Sequence, residues 1–216
     1  MVGGQCDLVV HSWKDLPVEE RADTHIAMTL KRADVRDLLL IPESAWVTAV
    51  REGVLRILTS SPRRVYNLSA ALPELLPAPL KLEFMTVRGN VPTRLRKMHD
   101  QGCALILAKA GLDRLIEAER QGFLGEGTSV ISLIRGCRFQ VLPVSLNPPA
   151  PAQGALAIEV ARGNQAVNAL CAALTDEKVF HCVQREREIL RAYWRRLPSE
   201  DRCSPFSRAI TERFML

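Results

Sequence analysis

The stretch VLRILTSSPRRVYNLSAAL, residues 54–72, indicates the fold class of the chain. It opens with a short apolar run that has the character of a buried strand, and this run ends at Thr59, Ser60 and Ser61. Ser61 is a favourable helix N-cap, and Pro62 suits the first helical position. The stretch therefore predicts a strand that is followed at once by a helix.

The same alternation continues towards the C-terminus. Residues 80–87 and 104–108 predict strands, and residues 93–99 and 112–120 predict helices. Alternation at this spacing is typical of parallel βαβ units, so we expect an α/β protein. The remaining predicted elements are strands at 7–10, 26–30, 38–41 and 155–160, a long connection at 121–153, and helices at 166–174 and 179–194.

Composition narrows the class of partner. The chain has 216 residues and a net charge of +5, and its basic residues are spread along the sequence rather than gathered in one block. This distribution suits an anionic ligand better than a solvating tail. Aromatic residues make up only 5% of the chain, which leaves few stacking platforms for single-stranded nucleic acid. We therefore expect a small anionic ligand and no nucleic acid.

Cysteine usage and hydropathy indicate a compartment. None of the six cysteines forms a CxxC pair, and the histidines show no metal-ligand spacing. The apolar runs are too short to cross a bilayer, and the N-terminus lacks the pattern of a signal peptide. These features predict a cytoplasmic protein with free thiols, no metal site and no membrane contact.

Arginines follow two of the predicted strands. Arg63 and Arg64 begin the helix after the first strand, where each cation opposes the helix dipole at a cost of about 0.3–1 kcal/mol. An anionic ligand would resolve this conflict, and two solvated arginines are the alternative. Arg88, Asn90 and Arg94 follow the next strand. Because parallel strands end at one edge of a sheet, the four arginines are predicted to face one cleft that binds several carboxylates or phosphates.

A third polar cluster, HSWKD at residues 11–15, follows the first predicted strand. Asp15 beside Lys14 and Ser12 can act as a general acid or base, or stabilise a transient cation. The alternative is a solvated loop in which Asp15 caps a turn. Near the C-terminus, Arg202 would favour the thiolate form of Cys203, and an inert thiol is the alternative there.

Six segments together resemble the porphobilinogen deaminase family, and they occur in the family's order over residues 7–160. Those segments are DLVVHSWKDLP at 7–17, RADVRDLLL at 32–40, LTSSPRRVYNL at 58–68, VRGNVPTRLRKM at 87–98, LILAKAGLDRL at 105–115 and PAQGALAIEV at 151–160. The family patterns VHSxKD, TSSxRR and RGNxxTRL are highly specific in combination.

The resemblance implies an α/β fold with two domains that resemble periplasmic binding proteins. These domains are expected to form a cleft of mixed and parallel sheets with helices, beside a small, partial third α/β domain. We assign residues 1–44 and 143–163 to domain 1, residues 45–142 to domain 2 and residues 164–216 to domain 3. The implied protein is a monomer.

The resemblance also implies an activity. Members of the family are transferases that condense porphobilinogen stepwise, with loss of ammonia, into the linear tetrapyrrole hydroxymethylbilane. They build it on a covalent dipyrromethane cofactor. Asp15 then takes the catalytic role, and Cys203 carries the thioether to the cofactor. The implied cofactor-binding residues are Ser12, Lys14, Ser60, Arg63, Arg64 and Arg88, and the implied substrate-binding residues are Arg63, Arg88, Asn90 and Arg94.

The chain departs from the family pattern in several places. It lacks the opening 60–70 residues with an R-x-S-x-L-A segment, and it stops at Leu216 where the family continues, so we expect a form shortened at both ends. Ala152 and Ala157 replace usual glycines, and Cys203 lacks the glycines that usually precede it. The alternative function is a non-catalytic module of the same fold that binds carboxylates or phosphates. A nucleic-acid-binding protein is the third hypothesis.

Overall fold

The computed structural model describes residues 6–125 and 129–196. Tertiary contacts divide the chain into two compact units. Among the described residues, unit 1 contains 6–35 and 150–196, and unit 2 contains those of Arg36–Pro149. Each unit combines a β-sheet with helices, so the predicted α/β class is confirmed. The domain boundaries drawn from the sequence, including a separate third domain, stay predictions.

Unit 1 has a three-stranded sheet with the order β1-β8-β2. Its strands are β1 (Leu8–Ser12), β2 (Thr24–Met28) and β8 (Leu156–Ala161), and β8 runs antiparallel to both neighbours. A 3-10 helix, Trp13–Asp15, follows β1 directly. Two helices follow β8, namely α6 (Gln165–Leu174) and α7 (Glu177–Arg196). The strands and helices predicted for these segments are confirmed.

The core of unit 1 uses both faces of β8. On one face, Ala157 packs with Trp13 and with Val183 of α7. On the other face, Ile158 and Val160 pack with Cys171 of α6. Alternate residues of a strand point to opposite faces, so the apolar run in β8 needs a covering element on each side.

Unit 2 has a five-stranded sheet with the order β5-β4-β6-β3-β7. The strands are β3 (Asp37–Pro42), β4 (Val54–Leu58), β5 (Lys81–Met85), β6 (Ala104–Ala108) and β7 (Cys137–Val141). The helices are α1 (Glu43–Glu52), α2 (Pro62–Leu75), α3 (Val91–Asp100), α4 (Lys109–Arg120) and α5 (Val130–Ile134). Strand β4 is parallel to β5 and β6, as predicted. Strand β3 is antiparallel to β6 and β7, which was not predicted.

Three elements of unit 2 differ from the sequence prediction. The structure adds α1, and it places α5 and β7 within the segment that we expected to be a long connection. Helix α5 is only five residues long, so it has too little length for a helical period to show. Strand β7 carries the exposed Arg138 and Phe139 and is defined by its pairing with β3.

Strand β3 lies in the interior of unit 2. All its residues are buried. Leu39 and Ile41 belong to one core cluster, which α2 completes through Leu68 and Leu72. Leu38 and Leu40 belong to a second cluster on the opposite face, which includes Leu95 and Met98 of α3. The sheet of unit 2 is therefore covered on both faces, as a buried strand requires.

The two alanines that depart from the family pattern, one in the turn before β8 and one in β8 itself, have different backbone conformations. Ala152, which stands where glycine is usual, has a φ of 65° and is fully buried. This is the left-handed region, where a Cβ atom costs roughly 1–2 kcal/mol. Ala157 lies inside β8 and needs no such conformation. The carboxylate of Glu186 on α7 supports the turn, because the Ala152 N–H donates to it at 2.8 Å.

Gly154 in the same turn should not tolerate a side chain. It has a φ of 83°, and a Cβ atom there would lie 2.6 Å from the carbonyl oxygen of Ala33. The Ala33 N–H donates to the Gly154 carbonyl at 3.0 Å, which holds the two segments together. Because backbone must move, we expect Gly154→Ala to lower the free energy of unfolding by about 2–4 kcal/mol.

Urea denaturation would measure this loss, and Gly163→Ala is the matched control in the same unit. Gly163 has open space around the position of a Cβ atom, and its φ is not positive. We expect that control to change the free energy of unfolding by less than about 1 kcal/mol. Equal effects of the two substitutions would contradict the steric argument.

Within the ranges that the structure describes, no helix is both long and apolar enough to span a membrane. The same part of the chain contains no cluster of histidine, cysteine, aspartate or glutamate suited to a metal ion.

Candidate functional site

One edge of the unit 2 sheet gathers polar side chains. Strands β4, β5 and β6 all end there; a loop and a helix follow β4 and β5, and helix α4 follows β6 directly. Because β3 runs in the opposite direction, it begins at this same edge, where Asp37 lies opposite Ala108 in the register. The sheet therefore places a carboxylate among the residues that follow the parallel strands.

Asp37 binds both arginines of the α2 N-terminus. Arg64 contacts both carboxylate oxygens, with Nη2 at 2.7 Å from Oδ1 and Nε at 3.0 Å from Oδ2. Arg63 Nη2 lies 2.7 Å from Oδ2, and the Asn147 side chain donates to the same oxygen at 2.8 Å. The Asp37 side chain has an exposed fraction of 0%. A buried carboxylate in this unit thus holds two guanidinium groups.

Burial alone would raise the pKa of Asp37. The hydrogen bonds and charge of Arg64, followed by those of Arg63, outweigh burial and hold the pKa of Asp37 far below its usual range. Burial lowers the pKa of Arg63 against the opposing effect of Asp37. An arginine stays charged at any pH at which the protein is folded, so the cluster consists of one carboxylate bonded to two cations.

Arg63 and Arg64 differ in how far they reach solvent. Arg64 is buried and also donates to the Ile106 carbonyl at 3.1 Å. Arg63 keeps 22% of its side chain exposed while it donates to Asn147 Oδ1 at 3.1 Å and to the Pro148 carbonyl. The two cations are therefore paired with an anion of the protein itself, Asp37. The sequence analysis had considered only a bound ligand or two solvated arginines. Their roles in ligand binding stay predictions.

The loops after β4 and β5 are joined by a side chain. Ser60 Oγ accepts from the Val87 N–H at 3.0 Å and donates to the Val87 carbonyl. Asn90 caps α3 by accepting from the Thr93 N–H at 2.9 Å. The Arg94 side chain donates to the Gly89 carbonyl at 2.7 Å. Arg88, between these anchored residues, is exposed.

The HSWKD cluster has a separate setting in unit 1. Ser12 ends β1, and Trp13 is buried, where its ring centroid lies 5.4 Å from that of Phe180. The Trp13 N–H donates to the Ala155 carbonyl at 3.1 Å. Lys14 is half-buried and Asp15 is exposed. The contacts of Trp13 thus hold the 3-10 helix in place, and Asp15 on this helix is exposed to solvent.

A buried cluster in unit 1 was not found by sequence reasoning. Glu159 on β8 accepts from Thr24, lies 2.8 Å from His11 Nε2, and binds Arg21 at 3.2 Å. Burial acts to raise the pKa of Glu159, but these partners prevail and the pKa is lowered. The signal was present, because a lone glutamate inside an apolar strand requires partners. Cys203, the predicted attachment point, lies outside the described residues.

The family model and the curated relatives agree on one family. The family model described as "Porphobilinogen deaminase, dipyromethane cofactor binding domain" matches residues 1–169. The chain is 38% identical over 192 residues to porphobilinogen deaminase of Thiobacillus denitrificans, covering 88% of this chain and 55% of the relative. It is 36% identical over 191 residues to that of Lawsonia intracellularis, covering 88% and 54%.

The chain spans about half the length of these curated relatives. Among solved structures, it is similar to the second substrate binding domain of a putative amino acid ABC transporter from Streptococcus pneumoniae. That match has 12% sequence identity and a TM-score of 0.35, and it covers 86% of this chain and 73% of the other.

Proposed function

The chain belongs to the porphobilinogen deaminase family, and from this premise we propose that it acts as a hydroxymethylbilane synthase. Such a transferase condenses porphobilinogen units in steps, releases ammonia at each step, and yields a linear tetrapyrrole. We propose that it works as a cytoplasmic monomer. The observation that carries the proposal is Asp15, which is exposed on a short helix that the buried Trp13 anchors.

Asp15 has the chemistry that this reaction needs. When ammonia leaves porphobilinogen, positive charge develops on a pyrrole ring that also carries an N–H donor. A carboxylate held in place can accept that N–H and stabilise the charge, and such preorganised groups contribute strongly to catalysis. Lys14 is adjacent in sequence and supplies a cation for a ligand carboxylate.

The donors of unit 2 fit a group rich in carboxylates. Dipyrromethane, when bound, supplies the pyrrole position at which chain growth starts. Arg88 is exposed, and the Arg63 side chain is partly exposed at the same sheet edge. Guanidinium groups bind carboxylates in two-point geometry, so the residue types match the acetate and propionate groups of such a ligand. Asp37 would keep Arg63 and Arg64 in fixed orientations for this purpose.

We assign the remaining roles on the same basis. Cys203 would hold the cofactor through a thioether, and Asn90 and Arg94 would contact substrate together with Arg63 and Arg88. The residues that would hold the cofactor by polar contacts are Ser12, Lys14, Ser60, Arg63, Arg64 and Arg88.

Intact mass of the purified chain tests this proposal. We expect a mass above that of the polypeptide by one covalent dipyrrole, and we expect Cys203→Ser to abolish the increase. Cys182→Ser is the matched control, because Cys182 is exposed on α7. The purified chain should also convert porphobilinogen to tetrapyrrole. A bare polypeptide mass together with binding of carboxylates but no product would favour the non-catalytic module instead.

A further inference from the structure

Helix α7 contacts the loop that follows Asp15 through one guanidinium group. Arg187 Nη1 lies 3.3 Å from the Trp13 carbonyl oxygen and 2.9 Å from that of Leu16. Arg187 Nη2 donates to the Pro17 carbonyl. These three carbonyls lie on both sides of Asp15 in sequence. A single side chain therefore fixes the backbone before and after the proposed catalytic carboxylate.

Arg191 extends this contact by one helical turn. Its Nε donates to the Val18 carbonyl at 3.0 Å, and its Nη1 lies 2.9 Å from Glu20 Oε1. Residues four apart lie on one face of a helix, so Arg187 and Arg191 form a row along the loop. We name this row, Arg187 and Arg191 with the carbonyls of residues 13, 16, 17 and 18, the loop clamp.

The loop that follows Asp15 has little regular secondary structure that could fix its conformation. After the 3-10 helix, residues 16–23 form no helix or strand. The Leu16 N–H donates to the Trp13 carbonyl at 3.2 Å, and this bond closes the single helical turn. Burying an arginine head costs free energy unless its N–H groups find acceptors. Here Arg187 is half-buried, and loop carbonyls serve as those acceptors.

We propose that Arg187 is a positioning residue that holds the Asp15 loop in its reactive conformation. This inference rests on the proposed function, since it takes Asp15 as the catalytic group. Arg187 itself acts through the backbone of residues 13–17 and is not assigned a contact with substrate. Small displacements of a reacting group can reduce rates about 100-fold, so the rigidity of this loop bears directly on turnover.

Hydrogen exchange followed by mass spectrometry tests the clamp without any need for activity. In the full chain, we expect Arg187→Met to speed exchange of amides in residues 13–18 by about tenfold or more. Arg185→Met is the matched control, because Arg185 is exposed on the same helix and pairs with Glu188. Unchanged exchange of the loop in Arg187→Met would overturn the proposal.

Kinetics separate positioning from general support of the fold. We expect Arg187→Met to lower kcat about 10- to 100-fold with little change in KM, and Arg187→Lys to recover part of the loss. Faster loop exchange with wild-type kcat would overturn the positioning role. If Asp15 proves dispensable for product formation, the proposed function fails, whereas the exchange result still decides whether Arg187 fixes the loop.

Discussion

Replacing Asp15 by asparagine is expected to lower the rate of tetrapyrrole formation from porphobilinogen by about 100-fold or more. The substitution keeps the size of the side chain and removes the negative charge that stabilises the developing cation. Because Asp15 is exposed and Trp13 anchors its helix, the fold should be unaffected. The rate is measured as product formed by purified protein, and the free energy of unfolding is measured in parallel.

The matched control for this prediction is Glu19→Gln. Glu19 is an exposed carboxylate in the same loop, and no catalytic role is assigned to it. We expect that control to keep nearly the full rate. If Asp15→Asn retained more than about a tenth of the wild-type rate, the charge of Asp15 would contribute too little for a catalytic stabiliser.

Replacement of the buried Asp37 is expected to have a large effect on the stability of the fold. We expect Asp37→Asn to lower the free energy of unfolding by about 3–5 kcal/mol, because it leaves the buried Arg64 guanidinium without its anion. Urea denaturation monitored by circular dichroism would measure the loss. Asp113→Asn is the control, since Asp113 is largely exposed and pairs with Lys109 one helical turn away. That surface pair should contribute less than about 1 kcal/mol.

A double substitution separates the charge effect from packing. Asp37→Asn combined with Arg64→Met removes both the carboxylate and its main buried partner. If an uncompensated charge causes the loss, the double variant should be more stable than the sum of the two single effects predicts. Simple additivity of the single effects would contradict this explanation.

The lowered pKa of Asp37 also predicts the direction of a pH effect. In the unfolded chain Asp37 takes up a proton as pH falls below about 4, whereas in the folded chain it stays ionised to much lower pH. Its contribution to stability is therefore complete above about pH 4 and is lost progressively as pH falls below that value. Asp37→Asn should reduce the acid sensitivity of unfolding in this range.

Much of the unit 2 sheet could be predicted from local sequence. The N-cap at Ser61 and the apolar runs at β4 and β6 are local signals, and the parallel pairing of β4, β5 and β6 follows from the alternation. The direction of β3 could not be predicted in this way. Its antiparallel pairing with β6 depends on contacts with residues distant in sequence. The apolar run at residues 37–42 indicates a buried strand but does not indicate its direction.

In the candidate site, too, contacts between residues distant in sequence could not be predicted. Arg63 and Arg64 carry a local conflict with the helix dipole, which the sequence reasoning attributed to a ligand. Their anion is Asp37, a residue distant in sequence that the unexpected direction of β3 brings to the arginine edge. Helix α1 was missed although Glu43 in its first turn and Gly53 at its end are recognisable boundary signals.

The contact between Asp37 and Asn147 has a consequence for chain connectivity. These residues lie near the two ends of the segment 36–149, and their side chains are 2.8 Å apart. In the remainder of the chain, Ala33 and Gly154 are likewise joined by a backbone hydrogen bond of 3.0 Å. Segment 36–149 thus has the topology of an insertion. It is suited to circular permutation, and a short linker between residues 33 and 154 could close the host without it.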